Sequence, residues 1–143
     1  EEVCSALRLR GSNGIDFVVD RAGEVWLMEV NPRLQGSLEL LESASRRSVL
    51  NMHVNACGGI LPRAPLAVRP GVKMIVYATR SGTVSDLRRI PGAIDITPSG
   101  SVIRRGDPVC TLITIGDELA EAYARAIERA QYAQPTVSPQ YVP

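Results

Sequence analysis

Lysine is nearly absent from this 143-residue chain: Lys73 stands alone beside fifteen arginines, and histidine, tryptophan and phenylalanine occur once each. The lysine shortage reads as genome composition before it reads as function. Sixteen basic against fifteen acidic side chains leave a formal net charge of +1. The clustered basic excess that favours nucleic acid or an anionic membrane surface is therefore missing, and neither partner is expected. Apolar runs such as residues 110–115 fall far short of the roughly 20 residues that span a bilayer. The opening residues carry Glu1, Glu2, Arg8 and Arg10 without an apolar run, so they do not read as a secretory leader. Three cysteines, Cys4, Cys57 and Cys110, are an odd number at wide spacing. They are expected to be buried thiols of a reducing, cytoplasmic protein, not a disulfide framework. An opening methionine is also lacking, and the chain is expected to be a piece of something longer.

What is there is ordinary globular material, 45% apolar and 22% charged, enough for one domain or two small ones. Residues 3–10 alternate too briefly to assign as helix or strand, and they end at the turn cluster Gly11-Ser12-Asn13-Gly14. Residues 15–20 and 24–30 are β-rich runs separated by Arg21-Ala22-Gly23, which predicts a β-hairpin. Asn31-Pro32 closes the second strand, since proline cannot donate to the ladder. Helical spacing predicts helices over 37–44 and 48–57, the second ended by Gly58-Gly59.

Pro62, Pro65 and Pro70 make residues 60–70 a stiff connector and the expected domain boundary. Beyond it, strands are predicted around 72–79, 93–96, 101–103 and 109–115, with Ser81-Gly82 as a turn. Residues 117–131 form the clearest helix. Leu119, Ala122, Tyr123, Ala126, Ile127 and Ala130 lie on one face, Asp117 is the expected N-cap, and Glu121 can pair with Arg125. The resulting division is 1–59, linker 60–70, small β-rich domain 71–133, and an extended or poorly ordered tail 134–143.

The chemistry-bearing segment is residues 14–39. Asp16 lies in the first strand of the hairpin, and Glu29 and Asn31 share a face of the second. A hairpin folding at 21–24 brings the three together. Two carboxylates and an amide oxygen are hard donors of the kind Mg²⁺ takes when phosphates and water complete its shell. Arg33, two residues on, can present a planar fork to a carboxylate or phosphate. The bland alternative makes Asp16 and Glu29 polar positions on a solvated hairpin. An acid within Leu27-Met28-Glu29-Val30 would be costly if buried without a partner, and pattern alone leaves both readings open.

The text Gly-Ile-Asp-Phe at 14–17 and Glu-Val-Asn-Pro-Arg at 29–33 resembles the ATP-grasp superfamily of carboxylate ligases. Its signature is an acid in one strand, a turn, then Glu-x-Asn in the next, here Asp16, Gly23 and Glu29-Val30-Asn31. The resemblance implies an α+β chain: the C-terminal half of a catalytic domain, antiparallel strands plus helix, then a small β-rich domain with one C-terminal helix. It implies that Asp16 binds one Mg²⁺, Glu29 bridges two, and Asn31 binds the second, with Mn²⁺ the alternative ion and Glu29 and Asn31 reaching ATP through them. ATP would phosphorylate a carboxylate, and an amine-type nucleophile would displace phosphate from the acyl phosphate. Arg33 would hold the acceptor carboxylate or stabilise the developing oxyanion.

Departures narrow the resemblance. D-alanine ligases place an arginine two residues before the first acid, where Gly14 stands here. Biotin carboxylases share Asn-x-Arg-x-Gln, matched by Asn31, Arg33 and Gln35, but carry a glutamate where this chain has Ser37. The run 29–37 looks most like the archaeal-type amino-acid ligases. The implied partners are small-molecule carboxylate and amine substrates and the missing N-terminal half, which carries the phosphate loop, its lysines and the adenine pocket; a homodimer is allowed. The competing readings are a non-catalytic assembly module, a split enzyme completed by a separate chain, and carboxylation like that of biotin carboxylase.

Other features carry less. His53 and Cys57 are four apart on a helix, but without a second pair they read as packed core positions. Arg88-Arg89 and Arg104-Arg105 read as solvated surface. Phe17 and Trp26 are expected to pack the hairpin's inner face.

Overall fold

A three-residue turn sets up the first half of the chain. Asp20 begins it, its backbone exchanging hydrogen bonds with Gly23 and Glu24, and Gly23 takes the left-handed φ of +87° that closes such a loop. The Asp20 carboxylate also accepts from the backbone N–H groups of Ala22 and Glu24 at 2.8 and 3.0 Å. From this turn run β1 (Gly14–Val19) and β2 (Val25–Asn31), an antiparallel pair. The computed structural model describes residues 2–136 and divides the chain into two units, Glu1–Ala67 and Val68–Pro143.

In the first unit the hairpin is preceded by a short helix α1 (Glu2–Ala6) and followed by α2 (Leu38–Ser45) and α3 (Val49–Cys57). The Ser48 side chain caps α3 by accepting from the Asn51 N–H at 3.2 Å, and Gly58 and Gly59 end it by donating back to Val54 and Ala56. Burial is sparse, with Ala44 and Val49 the buried apolar side chains of this unit. Phe17 and Trp26 do not pack an inner face: they are 58% and 60% exposed, because among the described residues no second layer covers the two-stranded hairpin. The Trp26 indole N–H instead donates to Asp20 at 3.0 Å.

The second unit contains β3 (Gly71–Tyr77), β4 (Gly82–Thr83), a 3₁₀ turn (Leu87–Arg89), β5 (Ala93–Ile94), β6 (Val102–Ile103), β7 (Pro108–Ile115) and α4 (Leu119–Tyr132). β7 lies between β3 and β5 in an antiparallel sheet, and β4 pairs with β6. Six consecutive residues of β7, Val109 to Thr114, are buried, so both its faces are covered and its run is continuously apolar, with Thr111 and Thr114 as the polar members. The Thr114 hydroxyl is satisfied by donating to the Ala122 carbonyl at 2.7 Å. Val76, Val84, Leu87, Val109 and Leu112 form the centre of the core.

Several expectations are corrected here. α4 meets the fold through Ala122 and Ala126, while Leu119, Tyr123 and Ile127 on its predicted apolar face remain exposed. Glu118, not Asp117, is its N-cap residue, without a side-chain cap, and the Asp117 carboxylate pairs with Arg69 at 2.7 Å. The expected Glu121–Arg125 ion pair is present at 2.6 Å. Gly82, expected in a turn, opens β4. The connector's last residues belong with the second unit, Pro70 accepting from Gly116 N–H at 3.0 Å.

The start of the expected tail is tied down as well. Gln134 accepts from the Thr79 amide and hydroxyl, Pro135 is buried, and Thr136 bridges to Thr83. The rest of that tail, residues 137–143, lies outside the described residues. Cys110 is buried, but Cys4 is half-buried and Cys57 exposed at the C-terminal end of α3. Among the described residues no helix is long and apolar enough to cross a membrane.

Candidate functional site

The ladder of β1 and β2 decides which side chains meet. From the turn outward Val19 pairs with Val25, Val18 with Trp26 and Phe17 with Leu27; Asp16 then pairs with Glu29, Ile15 with Val30 and Gly14 with Asn31. Met28 is the extra residue, absorbed as a β-bulge. Without it the regular register would set Ile15 opposite Glu29, putting that acid on the other face from Asp16. The bulge therefore brings the two carboxylates to one face.

Asn31 completes the group by donating from Nδ2 to Oδ2 of Asp16 at 3.3 Å. With Nδ2 so engaged, the amide oxygen is the donor atom Asn31 has left for an ion. Like charges directly across a ladder repel, so a pair of opposed acids suits a bound cation better than an empty surface. The donors are oxygens only, exposed enough to keep water on an ion, which fits Mg²⁺ or Mn²⁺ and not a soft metal. Among the described residues no three His, Cys, Asp or Glu side chains gather as a metal centre, so an ion here would depend on the Asn31 amide and on substrate oxygens.

Arg33 lies just beyond β2, its N–H donating to the Asn31 carbonyl at 2.8 Å and its guanidinium to the Leu34 carbonyl at 3.2 Å. Among the described residues its guanidinium makes no hydrogen bond to Asp16, Glu29 or Asn31; it borders the group without joining it. A cavity of about 340 Å³ opens beside Asp16, with Gly14 and Gln35 on its polar side and Leu38, Leu41 and Val49 on its apolar side. At the hairpin's far end the Trp26 indole N–H, with the amides of Glu24, Ala22 and Gly23, holds the Asp20 carboxyl below the usual carboxylate range. This acid belongs to the turn.

His53 is tied to the loop before β1. Its Nδ1 accepts from the Ser12 N–H at 2.9 Å, which puts the neutral ring's proton on Nε2, facing Cys57 Sγ at 3.7 Å. Sequence reasoning overlooked two residues with a structural part here, Gly14 and Met28. The signal for the first was a glycine at the mouth of a strand, which often marks a close approach.

Residues 1–37 match the ATP-grasp domain family, a segment that contains Asp16, Glu29, Asn31, Arg33 and Gln35. No curated protein matches the chain. Its fold resembles an N5-carboxyaminoimidazole ribonucleotide synthetase from Thermotoga maritima at 21% identity and a TM-score of 0.66, covering 96% of this chain and 40% of that one. A urea carboxylase from Kluyveromyces lactis aligns at 17% identity and a TM-score of 0.67, over 90% of this chain and 13% of that one. The biotin carboxylase domain of a thermophilic 2-oxoglutarate carboxylase aligns at 14% identity and a TM-score of 0.67, over 93% and 34%. The chain thus spans less than half the length of these structures. The α+β fold is consistent with part of an ATP-grasp domain, and the archaeal-type amino-acid ligase branch gains no support.

Proposed function

We propose that this chain is part of an ATP- and Mg²⁺-dependent ligase that activates a carboxylate as an acyl phosphate for attack by an amine-type nucleophile. The observation that carries the reading is the opposition of Asp16 and Glu29 across the hairpin, with Asn31 hydrogen-bonded to Asp16, inside the segment that matches the ATP-grasp domain family. Asp16 and Asn31 would each hold one ion, with Glu29 between them. Divalent ions bound there supply charge neutralisation for phosphoryl transfer.

The chain's own part is positioning. The hairpin fixes its donors on one face, and the bulge at Met28 sets their register. Arg33 carries an exposed guanidinium at the edge of that face, suited to a carboxylate or to the oxyanion that forms on attack. The other lobe of the grasp, on the same polypeptide or a separate one, supplies the adenine and phosphate-loop contacts. The enzyme would work in the cytoplasm on small molecules.

The test is phosphate release by the full-length gene product with Mg²⁺-ATP and a panel of carboxylates, bicarbonate among them, crossed with amino acids and amines. Wild type is compared with Glu29→Ala. Release that requires one carboxylate and disappears in the variant supports the reading; release with bicarbonate alone turns it toward carboxylation. No substrate-dependent release from either protein favours the non-catalytic module.

A further inference from the structure

Beyond the three candidate metal donors, one side chain is committed to the backbone that carries them. Gln35 Nε2 donates to the Arg33 carbonyl at 2.8 Å and to the Asn31 carbonyl at 3.3 Å. A primary amide has two N–H groups, and both are spent here. The Asn31 carbonyl also takes the Arg33 N–H at 2.8 Å, so both its lone pairs are engaged. The segment Asn31-Pro32-Arg33 would otherwise be a loose strand exit, because Pro32 offers no N–H to hold it.

Gly14 makes room for this arrangement. It is the ladder partner of Asn31, and a Cβ built on it would fall 2.2 Å from Gln35 Cδ and 2.5 Å from both amide heteroatoms. Its φ is not positive, so backbone conformation does not call for glycine there; a Cβ would instead push the end of the Gln35 side chain off its seat. The amide of Gln35 lies flat on the one backbone position of β1 that lacks a side chain.

We infer that Gln35 is a positioning residue for this site: seated on Gly14, its amide fixes the Asn31–Arg33 backbone and thereby the direction in which Asn31 and Arg33 present their side chains. The functional part of the inference rests on the proposed ligase reading; the structural part does not. Groups that orient metal ligands from behind commonly cost about tenfold or more in metal affinity when removed.

The test uses the full chain and four variants: Gln35→Met, which keeps the length and loses both N–H groups, Gln35→Ala, Gly14→Ala, and Gly14→Ala combined with Gln35→Ala. Backbone ¹⁵N relaxation reports the order of Asn31 and Arg33, electron paramagnetic resonance reports Mn²⁺ affinity, and circular dichroism melts report the fold. Gln35→Met is expected to loosen the Asn31 and Arg33 backbone and weaken Mn²⁺ binding about tenfold while the melting point holds. Gly14→Ala is expected to do the same in wild type, and to add nothing where Gln35 is already alanine.

Gln35→Met behaving as wild type in both relaxation and Mn²⁺ affinity would overturn the inference, because packing alone would then suffice. So would a full Gly14→Ala effect in the absence of Gln35. Unchanged order of the Asn31 and Arg33 backbone in Gln35→Met would overturn the structural part by itself, whereas the ligase reading stands or falls on phosphate release by the full-length product.

Discussion

Asp16 and Glu29 face each other across β1 and β2 because Met28 is absorbed between Leu27 and Glu29 as a bulge. Two acids are thereby set where a strand pair would ordinarily place opposite charges or apolar partners. Like charges directly opposed in a ladder are modestly destabilising, and the cation of the proposed site would relieve that repulsion.

Replacing Glu29 by glutamine removes the repulsion and one donor together. Glu29→Gln is expected to stabilise the metal-free protein slightly, by about 0.2–1 kcal/mol, and to abolish the stabilisation that Mn²⁺ gives the wild type. Thermal melts in chelator and in Mn²⁺ measure both. A variant less stable than wild type in chelator would show that the two acids do not oppose each other in solution.

The core of the second unit gives a contrast between a buried and an exposed leucine. Leu112 is fully buried in β7, whereas Leu119 at the start of α4 is 59% exposed. Leu112→Ala is expected to cost about 2–5 kcal/mol and Leu119→Ala about 0.5 kcal/mol or less, read from urea denaturation followed by circular dichroism. Equal losses would mean that Leu119 is covered in solution.

Acid sensitivity has a local source at Asp86. Its carboxylate takes the Arg88 guanidinium at 2.9 and 3.0 Å and the Arg88 backbone N–H at 3.1 Å. The guanidinium first, then the amide, hold its carboxyl at about 2, below the ordinary 3.8. Because the folded value is the lower one, this carboxylate stabilises the fold above about pH 3.8 and the contribution is lost as pH falls toward 2. Asp86→Asn is expected to flatten the fall in urea midpoint across that window, and an unchanged acid limb would count against the pairing.

The thiols should separate by reactivity. Burial pushes the Cys110 thiol up and screens it from reagents, while Cys57 stands exposed at the end of α3. An aromatic disulfide reagent is expected to modify Cys57 in the native protein and Cys110 only on unfolding, as mass spectrometry of the labelled peptides would show. Rapid native labelling of Cys110 would mean that the second unit opens readily.

How far the sequence could be read depended on which physical signal each element carries. The hairpin was legible because a turn triplet separates two β-rich runs, and β7 was legible because a strand covered on both faces is mostly apolar, Thr111 and Thr114 excepted. The meeting of Asp16 with Glu29 was only half legible: spacing puts them at one end of the hairpin, but side-chain direction depends on register. A bulge at an apolar residue such as Met28 leaves no compositional mark. On α4 the large residues Leu119, Tyr123 and Ile127 dominated the pattern, whereas the small Ala122 and Ala126 make the contact, since a helix lies close to a sheet where its side chains are short. Phe17 and Trp26 misled in the opposite sense, because an apolar residue in a strand does not reveal whether a second layer exists to cover it.

The pairing distances along the chain also differ sharply between the units. Gly14 meets Asn31 through one tight turn, whereas Gly71 must find Ile115, with β4, β5 and β6 lying between them in sequence. Loop closure is entropically cheaper for the near pair, and contacts distant in sequence form slowly. The strands that carry Asp16 and Glu29 thus meet at a lower closure cost than β3 and β7, whose pairing must draw together a long intervening stretch of chain.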